Sequence, residues 1–150
     1  MDMTTWIAAG YLLIIPADYS LSNSKVRNDN MGGVVPVIET SCVWENGKDK
    51  YIAFDWWTPM PPRAGGQMVV AREEKGTWAG EPVNVVETTM FHGTELRVVA
   101  TFQRLERLKA SVRLHAKGMG FEEFQRIVES STRSDVADVD VHQFGCKVKD

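Results

Sequence analysis

Glu87 is the carboxylate of this sequence that is best placed for acid–base chemistry. It lies in an apolar stretch, residues 83–90, which together with residues 94–103 predicts a β-hairpin around His92-Gly93. The register of such a hairpin sets Glu87 opposite Val98, on a face of apolar neighbours that would favour the protonated form of a general acid. Those neighbours are Val83, Val85, Leu96, Ala100 and Phe102.

Two histidines could work with this carboxylate. His92 lies at the tip of the expected hairpin, and His115 lies on the polar side of a later alternating stretch. A small hydrolase or isomerase that uses Glu87 with either histidine is therefore one hypothesis. The alternative places Glu87 in solvent, because a shift of the strand register by one residue moves it to the other face.

The other residues capable of chemistry form weaker patterns. Asp138, Asp140 and His142 alternate, so an extended segment would bring two carboxylates and an imidazole to one face, as a divalent metal requires. A solvated edge strand gives the same pattern and is the favoured interpretation. Cys146 follows His142 by four positions, but nothing else indicates a cysteine nucleophile. The sequence has no glycine-rich phosphate loop, so we expect neither a metal nor a cofactor.

Cys42 and Cys146 leave two alternatives open. If they are bridged, the long loop that they close stabilises the fold by roughly 4–5 kcal/mol in the chain-entropy model. If they are free, they are buried thiols of a protein in a reducing cytosol. We expect a cytoplasmic location, with a periplasmic or secreted one as the alternative if a signal peptide is removed ahead of Met1.

A stretch rich in tryptophan and proline, residues 54–62, is the strongest indication of a binding surface. Successive side chains of a strand point to opposite faces, so Trp56 and Trp57 are both buried only if both faces are covered. A tryptophan and a methionine beside a stiff proline loop would anchor a partner with little loss of entropy. A sugar could stack on the same residues, and two indoles closing the core are the alternative. The residues expected to bind are Trp56, Trp57, Met60, Pro61, Pro62 and Arg63.

Composition limits the function classes. The chain has 150 residues, 43% of them hydrophobic and 25% charged, which suits a single domain spanning 1–150. The formal net charge of −3 and the scattered basic residues argue against nucleic acid as a partner. The apolar run over residues 6–15 is too short to insert across a bilayer, which takes about 20 residues.

Hydrophobic periodicity predicts a sheet with a helix near its end. Residues 110–117 alternate as a strand does, and a helix over 104–117 is the competing interpretation. Phe121–Ser130 carries an apolar stripe at helical spacing. The remaining expectations are a single strand over 6–15, a loop over 20–33, an edge strand over 34–43, a type I′ turn at Asn46-Gly47, strands over 51–57 and 67–72, a turn at 73–76, a connector at 78–82 and a last short strand around Val136, Val139 and Val141.

Two stretches resemble a known family. Residues 10–16, which end at Pro16, and the segment from Thr94 through Phe121, Phe124 and Ser130 are similar to the opening and closing parts of PsbP-like and DcrB-like domains. The resemblance implies an α+β fold, with few helices packed on an antiparallel sheet as an α/β/α sandwich. Such domains are mostly non-enzymatic, which makes another protein the expected partner. The leading hypothesis is a protein-binding accessory domain, a chaperone-like adaptor, or a bacterial inhibitor or immunity-type protein.

Overall fold

A computed structural model describes residues 2–29, 37–58, 69–90, 93–103, 109–133 and 146–149 of the chain. These residues form eleven strands and one helix. The strands are β1 (Met3–Ala8), β2 (Tyr11–Pro16), β3 (Ser20–Asp29), β4 (Val37–Glu45), β5 (Tyr51–Thr58), β6 (Val69–Trp78), β7 (Glu81–Met90), β8 (Gly93–Gln103), β9 (Lys109–Lys117), β10 (Thr132–Arg133) and β11 (Lys147–Val148), and the helix is α1 (Phe121–Ser130).

The described strands pair antiparallel in two sheets. A four-stranded sheet has the order β10-β2-β1-β11, and a seven-stranded sheet has the order β3-β4-β5-β9-β8-β7-β6. The expected antiparallel sheet with a helix packed on it is therefore present. Within the described ranges α1 is the one helix. These ranges therefore show no second helical layer, which the expected α/β/α sandwich requires.

The core lies between one face of the seven-stranded sheet, called here the inner face, and the four-stranded sheet with α1. Tyr11 of β2 meets Phe54 of β5 and Trp78 of β6 edge-on, with ring centroids 6.1 and 5.7 Å apart. Such aromatic pairs join the layers as well as burying area. The opposite face of the seven-stranded sheet, called the outer face, carries the polar residues of β4, β5 and β9.

Helix α1 confirms the predicted element with the same bounds. Its apolar stripe is buried, at Phe121, Phe124, Ile127 and Val128. The strand interpretation of residues 110–117 is also confirmed, because β9 pairs with both β5 and β8.

The single strand expected over residues 6–15 is wrong, since β1 and β2 form a hairpin. Ala9 and Gly10 make its two-residue turn with positive φ values of 46° and 83°. The run contains no polar residue that would mark the turn. Gly10 adopts such a backbone without a Cβ clash, which makes it the residue that permits the reversal.

The loop expected over residues 20–33 is wrong in its described part, where β3 forms an edge strand. Its polar side chains are tolerated there because one side of an edge strand meets water. Because β3 is the edge strand, β4 is not at the edge of the sheet. Expected at an edge, β4 lies between β3 and β5.

Strand β6 also replaces predicted irregular structure. Residues 73–76 and 78–82 were expected as a turn and a connector, but β6 runs unbroken to Trp78 and turns at Ala79-Gly80 into β7. These turn residues have φ values of 50° and 84°. The charged residues of β6 again lie on an edge strand.

Two predicted hairpins are confirmed with altered turns. Met90 pairs with Gly93, so Gly93 belongs to β8 and not to the turn in which it was expected. The turn between β4 and β5 is longer than a type I′ turn, because the N–H of Asn46 donates to the C=O of Lys50. Gly47 provides the positive φ, 78°. The expected strand around Val136, Val139 and Val141 lies outside the described residues.

Cys42 and Cys146 form a disulfide bond, which settles the alternative left open by the sequence. Their Cα atoms are 6.2 Å apart, and both residues are buried. The bond joins β4 of the large sheet to the residue that precedes β11 of the small sheet. It therefore cross-links the two layers of the fold.

Candidate functional site

Four polar side chains meet on the outer face of the seven-stranded sheet. They are Ser41 of β4, Asp55 of β5, and Arg113 and His115 of β9, and we call them the Asp55 cluster. The strand register builds this cluster, because Ser41 pairs with Asp55 and Asp55 pairs with Arg113. Directly opposed residues of antiparallel strands share a face, so three neighbouring strands deliver their polar groups to one place.

Asp55 is the centre of the cluster. The hydroxyl group of Ser41 donates to Oδ1 at 2.8 Å, while Nη2 and Nε of Arg113 donate to Oδ2 at 2.8 and 3.2 Å. Nε2 of His115 lies 3.6 Å from the same Oδ2 atom. The carboxylate thus has partners on both oxygens.

These partners determine the protonation state of Asp55. Burial acts to raise the pKa of the carboxyl group, but hydrogen bonds from His115, Arg113 and Ser41 outweigh burial and lower the pKa to about 2. A carboxylate with so low a pKa is a weak base, and its proton is absent at neutral pH. The arrangement therefore suits neither a general base nor a general acid.

His115 is fixed between two neighbours. Its side chain is 16% exposed, its ring meets that of Tyr51 edge-on at a centroid distance of 5.8 Å, and its Nε2 atom faces Asp55. The order of contacts differs from that of a nucleophilic triad, because Ser41 donates to the carboxylate.

The two tryptophans of the expected binding stretch are neighbours in β5. Trp56 is 1% exposed and lies in the core, so it belongs to no exposed surface, contrary to expectation. Trp57 stands two positions beyond Asp55 in β5, and its backbone pairs with Glu39 and Ser111. Only the strand position of Trp57 is described. Met60, Pro61, Pro62 and Arg63 lie outside the described residues.

The structure does not bring Glu87 and His115 together. Glu87 is half-buried and pairs with Leu96, which is 1% exposed on the inner face. His115 lies on the outer face with Asp55. The sheet itself separates the two groups, so they cannot act on one substrate atom. Leu96 replaces Val98 as the partner of Glu87, a shift of two residues that keeps the expected face. His92 is outside the described residues.

Neither a cluster of metal-ligating residues nor a membrane-spanning helix occurs in the described part of the chain. Across the described ranges, no group of three or more His, Cys, Asp or Glu residues could hold a metal ion. Asp138, Asp140 and His142 fall outside those ranges. Among the residues that the structure describes, no helix is long and apolar enough to cross a membrane.

Sequence reasoning singled out one member of the Asp55 cluster, His115, and gave it a different role. Ser41, Asp55 and Arg113 were missed. Their signal was the alternation of polar and apolar residues along three strands, which becomes informative only when the register aligns them.

Comparison of the chain with protein-family models, curated proteins and solved structures finds no match.

Proposed function

We propose that this chain is a non-catalytic protein-binding domain whose contact surface is the outer face of β4, β5 and β9, with Trp57, Met60, Pro61, Pro62 and Arg63 as the further residues expected to bind. The observation that carries the proposal is the Asp55 cluster, a set of ion-paired and hydrogen-bonded side chains at the centre of that face. Groups held in this way favour recognition, because little side-chain entropy is lost on binding.

The composition of the surface supports a protein partner. Arg113 is 44% exposed although it is fixed by Asp55, and Trp57 stands two positions beyond Asp55 in β5. Arginine and tryptophan are the residue types most enriched where binding energy concentrates in protein interfaces. Trp56 takes no part in this surface and instead supports the strand from the inner side.

The low pKa of Asp55 and the separation of Glu87 from His115 support a non-catalytic role. An accessory or chaperone-like role, as in PsbP-like and DcrB-like domains, is part of the proposal, as is the α/β/α arrangement. The antiparallel sheet with α1 packed on it is consistent with that arrangement.

A binding experiment with matched variants tests the function. Purified wild-type domain, Trp57→Ala and Lys48→Ala are each used to capture proteins from a lysate of the source cells, and circular dichroism first establishes that all three are folded. Lys48 is exposed in the β4–β5 turn, at the end of β5 remote from Trp57, which makes it the control. A stoichiometric partner retained by Lys48→Ala and lost with Trp57→Ala supports the proposal.

Other outcomes count against it. Equal capture by all three proteins would place the interface elsewhere. The absence of any captured protein, together with a rise of the melting temperature in a panel of sugars and metabolites, would favour a small-ligand binder.

A further inference from the structure

Two turns are joined at one end of the large sheet. Asn46 follows β4, and Asp18 lies in the turn that leads from β2 of the small sheet to β3 of the large one. The two turns adjoin because Ser20, at the start of β3, pairs with Glu45, at the end of β4. Nδ2 of Asn46 donates a hydrogen bond to Oδ2 of Asp18 at 2.9 Å, and this contact is exposed to solvent.

The residue after Asn46 is a glycine that is open to approach. Gly47 is exposed, its φ is 78°, and a Cβ at this position would meet nothing within 4 Å. Among the residues that the structure describes, its N–H donates to no backbone carbonyl. Because glycine has no Cβ and the widest choice of backbone angles, its nitrogen is free to swing towards the preceding side chain. The amide carbon of Asn46 therefore has an unhindered backbone nitrogen beside it.

We propose that Asn46 is a site of spontaneous deamidation, that Asp18 restrains the reaction, and that the carboxylate it produces separates the two turns. The backbone nitrogen of Gly47 attacks Cγ of Asn46, and the new N–C bond closes a cyclic succinimide. Nδ2 leaves as ammonia, which takes the proton of the attacking nitrogen. Water then opens the ring at either carbonyl and leaves aspartate or isoaspartate at position 46. The reaction consumes one water and releases one ammonia, so it needs no oxidant.

The hydrogen bond to Asp18 slows this reaction in the folded protein. Ring closure rotates the side chain of Asn46 and expels Nδ2, so the bond from Nδ2 to Asp18 must break before ammonia leaves. Hydrogen bonds to a charged acceptor are stronger than those between neutral groups. The negative charge of Asp18 also opposes the negative charge that develops on the attacking nitrogen and on the amide oxygen. Asp18 is therefore a positioning residue that holds the amide in its unreacted form.

Deamidation replaces a hydrogen-bond donor by an acceptor. An ionised carboxylate at position 46 has no proton to donate, and it faces the carboxylate of Asp18, so the two groups repel each other. The isoaspartate product also lengthens the main chain of a turn in which the N–H of Asn46 donates to the C=O of Lys50. The inference is independent of the proposed function, because these turns lie at the end of β5 remote from Trp57.

Peptide mapping by mass spectrometry tests the reaction. The native protein is kept in mildly alkaline buffer and digested at intervals, and chromatography separates aspartyl from isoaspartyl peptides. Asn84 is the internal control, because it is also exposed but is followed by Val85 within β7. We expect conversion at Asn46 to be on the order of tenfold faster, since a β-branched residue in a strand lacks the freedom of glycine.

Variants of the two turns test the restraint. Asp18→Ala should accelerate conversion at Asn46 several-fold. Asp49→Ala, which removes an exposed carboxylate of the β4–β5 turn, should change the rate by less. Conversion at Asn46 no faster than at Asn84, or the same rate in Asp18→Ala as in the wild type, would overturn the proposal.

An exchange of the two side chains tests the consequence for the turns. Asn46→Asp mimics one product, so it should lower the melting temperature and shift the NMR signals of residues 17–19. Adding Asp18→Asn to that variant restores one donor and one acceptor, and the double variant should regain the melting temperature of the wild type. A wild-type melting temperature for Asn46→Asp, or no recovery in the double variant, would show that the carboxylate does not separate the turns.

Discussion

Asp55 and Arg113 stand directly opposite each other on β5 and β9, and two nitrogens of the guanidinium group share one carboxylate oxygen. Ser41 occupies the corresponding position on the other neighbour of β5 and takes the second oxygen. A single cross-strand row thus neutralises a carboxylate that is largely removed from water. Such a row holds its members in fixed orientations and leaves Asp55 poorly suited to proton transfer.

The stability of the fold should depend on pH through Asp55. The folded state lowers the pKa of this group to about 2, so its stabilising effect is fully present above the unfolded pKa of about 3.9 and is lost as the pH falls toward 2. The full effect is at most about 2–3 kcal/mol. Urea denaturation should show Asp55→Asn destabilised by about 1–2 kcal/mol at pH 7, with the difference from wild type shrinking near pH 2.

Asp49→Asn is the control for this experiment, because Asp49 is exposed in the β4–β5 turn. Its stability should follow that of the wild type at each pH. A difference between Asp55→Asn and wild type that does not change with pH would contradict the assigned protonation state.

Trp56 should matter for folding. It is 1% exposed and fills the inner face near one end of β5, so Trp56→Ala should cost about 3–5 kcal/mol in the free energy of unfolding. Chemical denaturation followed by circular dichroism measures this cost. Lys48→Ala, which removes an exposed side chain, should stay within about 0.5 kcal/mol of wild type. A loss below about 1 kcal/mol at Trp56 would contradict its place in the core.

The turn between β6 and β7 offers a stabilising substitution. Ala79 has a φ of 50°, a conformation that costs an alanine roughly 1–2 kcal/mol and that asparagine tolerates better. Ala79→Asn should therefore raise the stability by about 0.5–1 kcal/mol, measured as a higher melting temperature. Gly80→Ala is the opposite test, since φ is 84° and a Cβ would meet nothing within 4 Å. A lowered melting temperature there would come from backbone strain alone, whereas an unchanged one would contradict the assigned turn.

Local patterns sufficed for elements whose apolar residues follow one period and end at clear signals. The helix Phe121–Ser130 has its stripe at helical spacing and follows Gly118 and Gly120, and β9 alternates along its length. Local sequence patterns were less informative for the strands at the edges of the large sheet. Strands β3 and β6 are polar because water covers one side of them, and a polar strand resembles a loop in sequence.

The apolar run over residues 6–15 shows the converse difficulty. Both β1 and β2 are apolar, so no change of composition marks the turn between them. The pairing of β1 with β2 and the positive φ of Ala9 and Gly10 show the reversal, and Gly10 alone is too weak a signal to predict it.

What the sequence determined by itself was therefore the sheet-rich, antiparallel character of the fold, the helix and most of the central strands, since these follow from periodicity, whereas the protein partner stays a prediction. Tertiary structure alone decided that Asp55 meets Ser41 and Arg113, that Glu87 and His115 lie on opposite faces, and that Cys42 meets Cys146. The physical reason is that each of these relations joins residues from different strands. A strand's own pattern fixes which residues share a face, but the pairing register fixes which of them meet.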